Sequence, residues 1–270
     1  MIHTINLSPA NEGELRHLLE KEGYMFSPLQ YGFWLAKKGD ISIAFYTSGK
    51  VVLNYTLPYQ KEAILTLVTP FLTKATSQLG CDESGKGDVF GPLVLAAVAV
   101  SPEAFTKLNL AGLSESKKAS LNQVENFVSI ITRHCQVEYL IWEPETYNTL
   151  YEQYRNVNNM LTFGYKTLLQ KFDQTYEKVI VDAYASEPAI VQTLASVSPG
   201  PLVWETKAEK YISVCAASLI ARKLCLDWFE KQDIRLPRGA SHEAMQAYKE
   251  LVTNPSINLR CYVKLNFRIS

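Results

Sequence analysis

Carboxylates set at the ends of apolar runs are the residues of this chain best suited to chemistry. Asp82 and Glu83 are adjacent in Gly-Cys-Asp-Glu-Ser-Gly-Lys-Gly (80–87), shortly before the apolar run 94–100. Acids beside a core strand are costly unless something uses their charge, and bound cations are the usual user. Strand neighbours point to opposite faces, so Asp82 and Glu83 can share a site only if the chain bends there, which the nearby glycines permit. Asp182 ends a second apolar run, Val179-Ile180-Val181, and Glu209 falls at the expected start of a long helix. In α/β sheets, sites form where strand ends meet loops.

Taken singly, each acid has a plainer reading. Asp82 and Glu83 suit a solvated turn, Asp182 a turn or cap, and Glu209 a helix-dipole partner. Together they form an oxygen ligand set for two magnesium ions, partly hydrated and open to a substrate phosphate. Two ions roughly 4 Å apart can hold both the attacking water and the leaving oxygen of an in-line phosphodiester displacement. A competing reading takes Gly80 to Gly87 as a phosphate-binding loop, G-x-x-x-x-G-K. The residue after Lys86 is Gly87, where such a loop needs Ser or Thr for magnesium, and two acids inside the loop would repel phosphate.

The elements that must position these acids follow from the apolar pattern. Strands are expected at 79–82, 94–100, 137–142, 179–182 and 202–205, alternating with helices. Ser120 and Gln123 form a capping box ahead of a stripe from Leu121 to Ile131. Further helices are expected at 145–155 and 158–172, from Pro188, and, longest, from about 208 to 230. The small residues Cys215-Ala-Ala-Ser218 let that last helix approach a sheet closely. The domain is therefore α/β, a sheet flanked by helices.

Residues 1–72 predict a separate small α+β unit in the order β-α-β-β-β-α. Ser8 and Pro9 mark a helix start, strands are expected at 2–7, 32–37, 41–46 and 51–56, and a helix at 59–72. The polar stretch 73–78 reads as the linker, leaving 79–270 as the second domain. Trp34, Tyr46, Tyr55 and nearby lysines would suit nucleic acid if they lined an open sheet face, or a core if they packed on a helix.

Composition bounds the class. The 270 residues are 47% hydrophobic with zero net formal charge, those of a globular protein, and net charge gives no case for nucleic-acid binding. Residues 231–270 are locally basic, with seven Lys and Arg against three Asp and Glu. Segregated charge can build a basic face on a neutral protein, or be ordinary surface. No apolar stretch reaches membrane-spanning length, and no basic-then-apolar leader opens the chain. Five cysteines without C-x-x-C spacing argue for reduced thiols and a cytoplasmic setting.

Several stretches carry a family resemblance. Gly80-Cys-Asp-Glu-Ser-Gly-Lys-Gly-Asp-Val-Phe-Gly-Pro92, Gly112 to Lys118, Tyr147-Asn148 with Asn156 to Leu161, Lys207-Ala-Glu209 leading into Val214 to Arg222, Leu236 to Ser241, and Lys264-Leu-Asn-Phe267 resemble the motifs of the type 2 ribonucleases H, in their ribonuclease HIII branch. The N-terminal unit is similar to that branch's substrate-binding domain, which has a TATA-box-binding-protein-like fold. The resemblance implies a ribonuclease H-like catalytic domain that hydrolyses the RNA strand of RNA–DNA hybrids with Mg2+ or Mn2+, leaving 5′-phosphate and 3′-hydroxyl ends. It implies a catalytic set of Asp82, Glu83, Asp182 and Glu209, the first three anchoring metal and Glu209 acting through water. Ser84, Gly85, Lys86 and Gly87 would follow the minor groove, where the 2′-hydroxyl separates RNA from DNA, and Lys117 would contact phosphate. A monomer without an obligate protein partner or membrane contact is expected. Lys86 and Ser84 stand where many members carry Thr and Val, and Glu115 and Asn266 where Asp and His are usual; the last two receive no role. The tyrosine motif by which ribonuclease HII relatives recognise one embedded ribonucleotide is not evident, so weak cleavage there is expected.

Overall fold

Each of the five apolar runs expected to build the larger sheet does so. In the computed structural model, which describes residues 1–72, 75–113 and 120–267, they are β6 (Gln78–Ser84), β7 (Leu93–Val100), β8 (Gln136–Trp142), β9 (Lys178–Asp182) and β10 (Leu202–Glu205). The strand order is β10-β9-β6-β7-β8. β6 and β10 run parallel to β9, and β7 is antiparallel to β6 and β8. β7 is buried along its whole length, as a strand covered on both faces must be.

Strand periodicity assigns the two faces. Leu79 and Cys81 of β6, with Val179 and Val181 of β9, pack in one cluster with Tyr165, Leu168 and Leu169 of α6 (Val157–Leu169). On the other face lies α8 (Ile212–Glu230), where Ser213 donates to Gln78 at 3.2 Å. A side chain on Gly80 would overlap the backbone of Ser213 and Val214. Odd positions of β6 therefore face α6 and even positions face α8.

The long helix begins later than expected. Lys207 takes a left-handed conformation (φ 58°), Ala208–Lys210 form a separate 3-10 turn, and extended Tyr211 intervenes before Ile212. Glu209 thus lies on a short turn, outside the first turn of α8. Other helices of this unit are α4 (Leu121–His134), α5 (Pro144–Tyr154), α7 (Pro188–Ala195) and α9 (His242–Val252). The last was not foreseen; its Ala244 and Tyr248 pack against Val89, Phe90 and Val263.

The chain divides into two units, Met1–Thr76 with Ser101–Ser120, and Ser77–Val100 with Leu121–Ser270. The first holds β1 (Ile2–Asn6), α1 (Glu12–Lys21), β2 (Met25–Ser27), β3 (Gly32–Lys38), β4 (Ile41–Tyr46), β5 (Lys50–Asn54) and α2 (Pro58–Val68), with a sheet ordered β1-β5-β4-β3-β2. β2 is an extra edge strand, and Ser8-Pro9 opens a 3-10 turn (Pro9–Asn11) ahead of α1. Trp34 and Tyr55 are core residues: the Trp34 indole donates to Glu12 Oε1 at 2.6 Å and packs edge-on against Phe26 and Phe45. They do not form an open aromatic face.

The segment 101–120, expected within the second domain, groups with the first unit. Its helix α3 (Pro102–Ala111) is capped by Ser101 and carries the buried Asn109. That side chain both accepts from and donates to the Asn6 backbone, each at 2.9 Å, and His3 Nε2 lies 2.7 Å from the Leu110 carbonyl.

Candidate active site

Asp82 and Glu83 remain in the β6–β7 ladder, opposite Ala96 and Leu95. The bend expected at these acids instead falls at Gly85, where φ is 88° and an added Cβ would overlap the Pro92 carbonyl. The two carboxylates consequently leave the strand end on opposite faces. Asp82 turns toward α8, accepting from the Glu83 amide at 2.8 Å and hydrogen-bonding Ser218. Glu83 turns toward α6 and accepts from the Tyr165 hydroxyl.

Parallel pairing brings the third acid alongside. Cys81 is in register with Val181, so Asp182 ends β9 beside Asp82. It shares the α8 face, where its neighbour Ile180 packs on Ala208 and Val214. The Ala208 amide donates to Asp182 Oδ1 at 3.0 Å. That bond hangs the turn carrying Glu209 from Asp182, and Cys215 Sγ holds the Glu209 carbonyl at 2.6 Å.

Burial and mutual repulsion set the electrostatics. The Asp82 carboxyl is pushed up to about 7, chiefly by burial, then by the charge of Glu83 and, more weakly, Asp182. Burial likewise raises Glu83, although the Tyr165 hydrogen bond and the charge of Lys86 pull it down. Tyr165 is held well above its usual range by burial and the same acids. Among the described residues, no three His, Cys, Asp or Glu side chains close around one point. The donors are all oxygens, with Asp82 and Asp182 on one face and Glu83 on the other. Such a set fits a hard cation that keeps several waters, and a cation would relieve the repulsion that raises Asp82 and Glu83.

The loop after β6 is built to hold its shape. Lys86 Nζ donates to the Tyr184 carbonyl at 3.2 Å and lies 5.4 Å from the Tyr184 ring centre. Tyr184 stacks on Tyr165 and meets Trp204 edge-on. Lys264, fully buried, donates to the carbonyls of Gly85 and Asp88 at 2.8 and 2.9 Å, and burial pushes its ammonium down to about 8. Ser84 and Lys86 are half-buried, and Gly87 is exposed. The loop joins two antiparallel strands, so the helix that a phosphate-binding loop must enter is missing from its context. Lys117 and Glu115 lie outside the described residues. The basic excess of 231–270 is not one open face, because Lys264 is internal and Arg260 pairs with Glu152 at 2.7 Å.

Tyr165, Ser218, Tyr184 and Lys264 went unassigned from sequence. Ser218 sits in the small-residue stretch of α8 and Lys264 in the Lys264-Leu-Asn-Phe267 motif, but neither neighbourhood reveals the partner that each residue meets.

A mixed five-stranded sheet with acids at adjacent parallel strand ends defines a ribonuclease H-like catalytic unit, and the comparisons agree. The family model for ribonuclease HII matches residues 79–261. Ribonuclease HIII of Protochlamydia amoebophila is 30% identical over 251 residues, covering 87% of this chain and 83% of that protein. Ribonuclease HIII of Aquifex aeolicus is 28% identical over 272 residues, covering 98% and 99%. The Aquifex aeolicus RNase H3 crystal structure, at 26% identity, has a TM-score of 0.61 over 98% of this chain and all of that one. Bst-RNase HIII in complex with Mn2+ has a TM-score of 0.65 over 100% and 96%, at 21% identity, and shows the shared fold. The chain belongs to the ribonuclease HII family, within its ribonuclease HIII branch.

Proposed function

We propose that the protein is an endoribonuclease that hydrolyses the RNA strand of RNA–DNA hybrids with Mg2+ or Mn2+, leaving 5′-phosphate and 3′-hydroxyl ends. The observation that carries the reading is the placement of Asp82 and Asp182 on one face at adjacent parallel strand ends, with Glu83 next along the same strand end and turned to the other face. Asp82, Glu83 and Asp182 would hold the divalent ions, with Glu209 reaching them through water. A bound ion supplies charge neutralisation at the transferring phosphoryl group and lowers the cost of making the nucleophile.

The chain's own residues orient the rest. Tyr165 holds the Glu83 carboxylate, and the Ala208 amide holds that of Asp182. Ser84 to Gly87 would track the minor groove of the hybrid, where 2′-hydroxyls mark the RNA strand, and Lys117 would contact a phosphate. Residues 1–72 are assigned to substrate binding, 73–78 to a linker and 79–270 to catalysis, with a monomer acting in the cytoplasm without an obligate protein partner. Among the described residues no helix is long and apolar enough to cross a membrane.

Incubating the protein with an end-labelled hybrid across a Mg2+ titration tests the reading. RNA-strand cleavage that rises with Mg2+ and stops with chelator is expected, with weak nicking of a duplex carrying one ribonucleotide. Metal-independent cleavage, or none under any divalent ion, would contradict it.

A further inference from the structure

A buried ammonium needs a reason, because taking a lysine out of water is costly unless its donors are matched. Lys264 is fully buried, and its Nζ donates to the carbonyls of Gly85 (2.8 Å), Asp88 (2.9 Å) and, at longer range, Phe90 (3.4 Å). All three acceptors belong to the one loop that follows the catalytic strand end. The ring centre of Tyr147 lies 5.5 Å away on α5, a favourable wall for a cation.

The loop is gripped from the same side by backbone. The Lys264 amide donates to the Val89 carbonyl at 2.9 Å, Phe90 bridges Val263, and the Gly91 amide donates to the Tyr262 carbonyl at 3.0 Å. Asp88 accepts from the Gly239 amide at 3.0 Å, and the Val89 amide donates back to the Gly239 carbonyl at 3.0 Å. Buried Asn148 then fixes the gripping segment, donating to the Val263 carbonyl and accepting from the Leu265 amide, both at 2.8 Å.

We infer that Lys264 is a positioning residue for hybrid recognition: its buried ammonium gathers the carbonyls of Gly85, Asp88 and Phe90 and presets the Ser84–Gly87 loop in its substrate-reading shape. This rests on the assignment of that loop to minor-groove reading. Three carbonyls turned onto one internal cation leave the loop little freedom to relax, so ordering entropy is spent at folding and not at binding. Lys264 touches none of the carboxylates, so its loss acts on recognition more than on the chemical step.

The test compares Lys264→Met, which keeps the stem and removes the charge, with wild type in steady-state cleavage of an RNA–DNA hybrid. Removing a charged donor from buried acceptors is expected to raise KM by about tenfold or more while kcat changes by no more than about threefold. Amide hydrogen exchange across 84–90 should quicken in the variant. A core variant, Leu168→Ala, controls for general destabilisation and should leave KM unchanged. If Lys264→Met does not fold, Lys264→Gln, which retains a donor, takes its place, with a smaller rise in KM expected. A wild-type KM and unaltered loop exchange in the folded variant would overturn the positioning role, as would an equal KM rise in Leu168→Ala. A wild-type protein that fails to cut hybrid would instead overturn the proposed function.

Discussion

At Asp82 the site opposes the stability of the fold. An acid held above its unfolded value favours folding fully only below its ordinary 3.8, and that contribution is lost as pH rises through about 7. In metal-free protein, Asp82→Asn is therefore expected to raise the melting temperature by several degrees at pH 8 and by little at pH 4. Added Mg2+ should stabilise wild type more than the variant, since a ligand that binds only the folded state raises its stability. Thermal melts at both pH values, with and without Mg2+, check this. Equal melting temperatures at pH 8 would mean that the acid is not strained. Asp82, Glu83 and Asp182 were readable because each ends or adjoins an apolar run. Tyr165 and Ser218 were not, because a hydrogen bond that spans 82 positions from Glu83 to Tyr165 leaves no local mark.

At the level of elements, the contact between β6 and α8 decides whether Asp82 meets Ser218. Gly80 makes it possible, since any side chain there would overlap the Ser213–Val214 backbone. Gly80→Ala is expected to destabilise the protein by about 1–3 kcal/mol or more, as overpacking of a closed core does, and to lower activity more than a surface substitution of equal size. Denaturant unfolding checks the first point, and an unchanged midpoint would contradict it. β7 was legible because it is a continuous apolar run, and β9 because Val179-Ile180-Val181 is another. The starts of α3 and α9 carry a different local signal, an N-cap serine at Ser101 and Ser241. The break before α8 was hidden because Lys207 adopts a left-handed backbone without a glycine to announce it.

Across the whole chain, the acid-bearing sheet lies in one unit, and the N-terminal unit has a sheet and a core of its own. Residues 101–120 join the N-terminal unit, where the Asn109 side chain takes the place of a strand partner for Asn6. Hydrophobic pattern cannot foresee such a pairing, because it is made by one amide side chain across 103 positions. Aromatic composition does not decide for a related reason: Trp34 and Tyr55 suit a stacking platform or a core equally in sequence, and both fill the core. Deleting residues 1–72 is expected to weaken hybrid binding by about tenfold or more if this unit holds substrate. It should also lower stability, because Asn109 loses both of its backbone partners. Titration of labelled hybrid below the melting temperature of the truncated protein measures the first effect, and unchanged affinity would make the unit structural only.

If acids at adjacent parallel strand ends perform metal-assisted hydrolysis, Asp182→Asn is the variant that should lose it. The amide keeps an oxygen to accept the Ala208 hydrogen bond, so fold and hybrid binding should survive. Mg2+-dependent cleavage of the RNA strand is expected to fall at least about a hundredfold, the scale on which loss of a transition-state charge stabiliser acts. A folded Asp182→Asn protein that binds hybrid and cuts it at the wild-type rate would rule out Asp182 as part of the catalytic site.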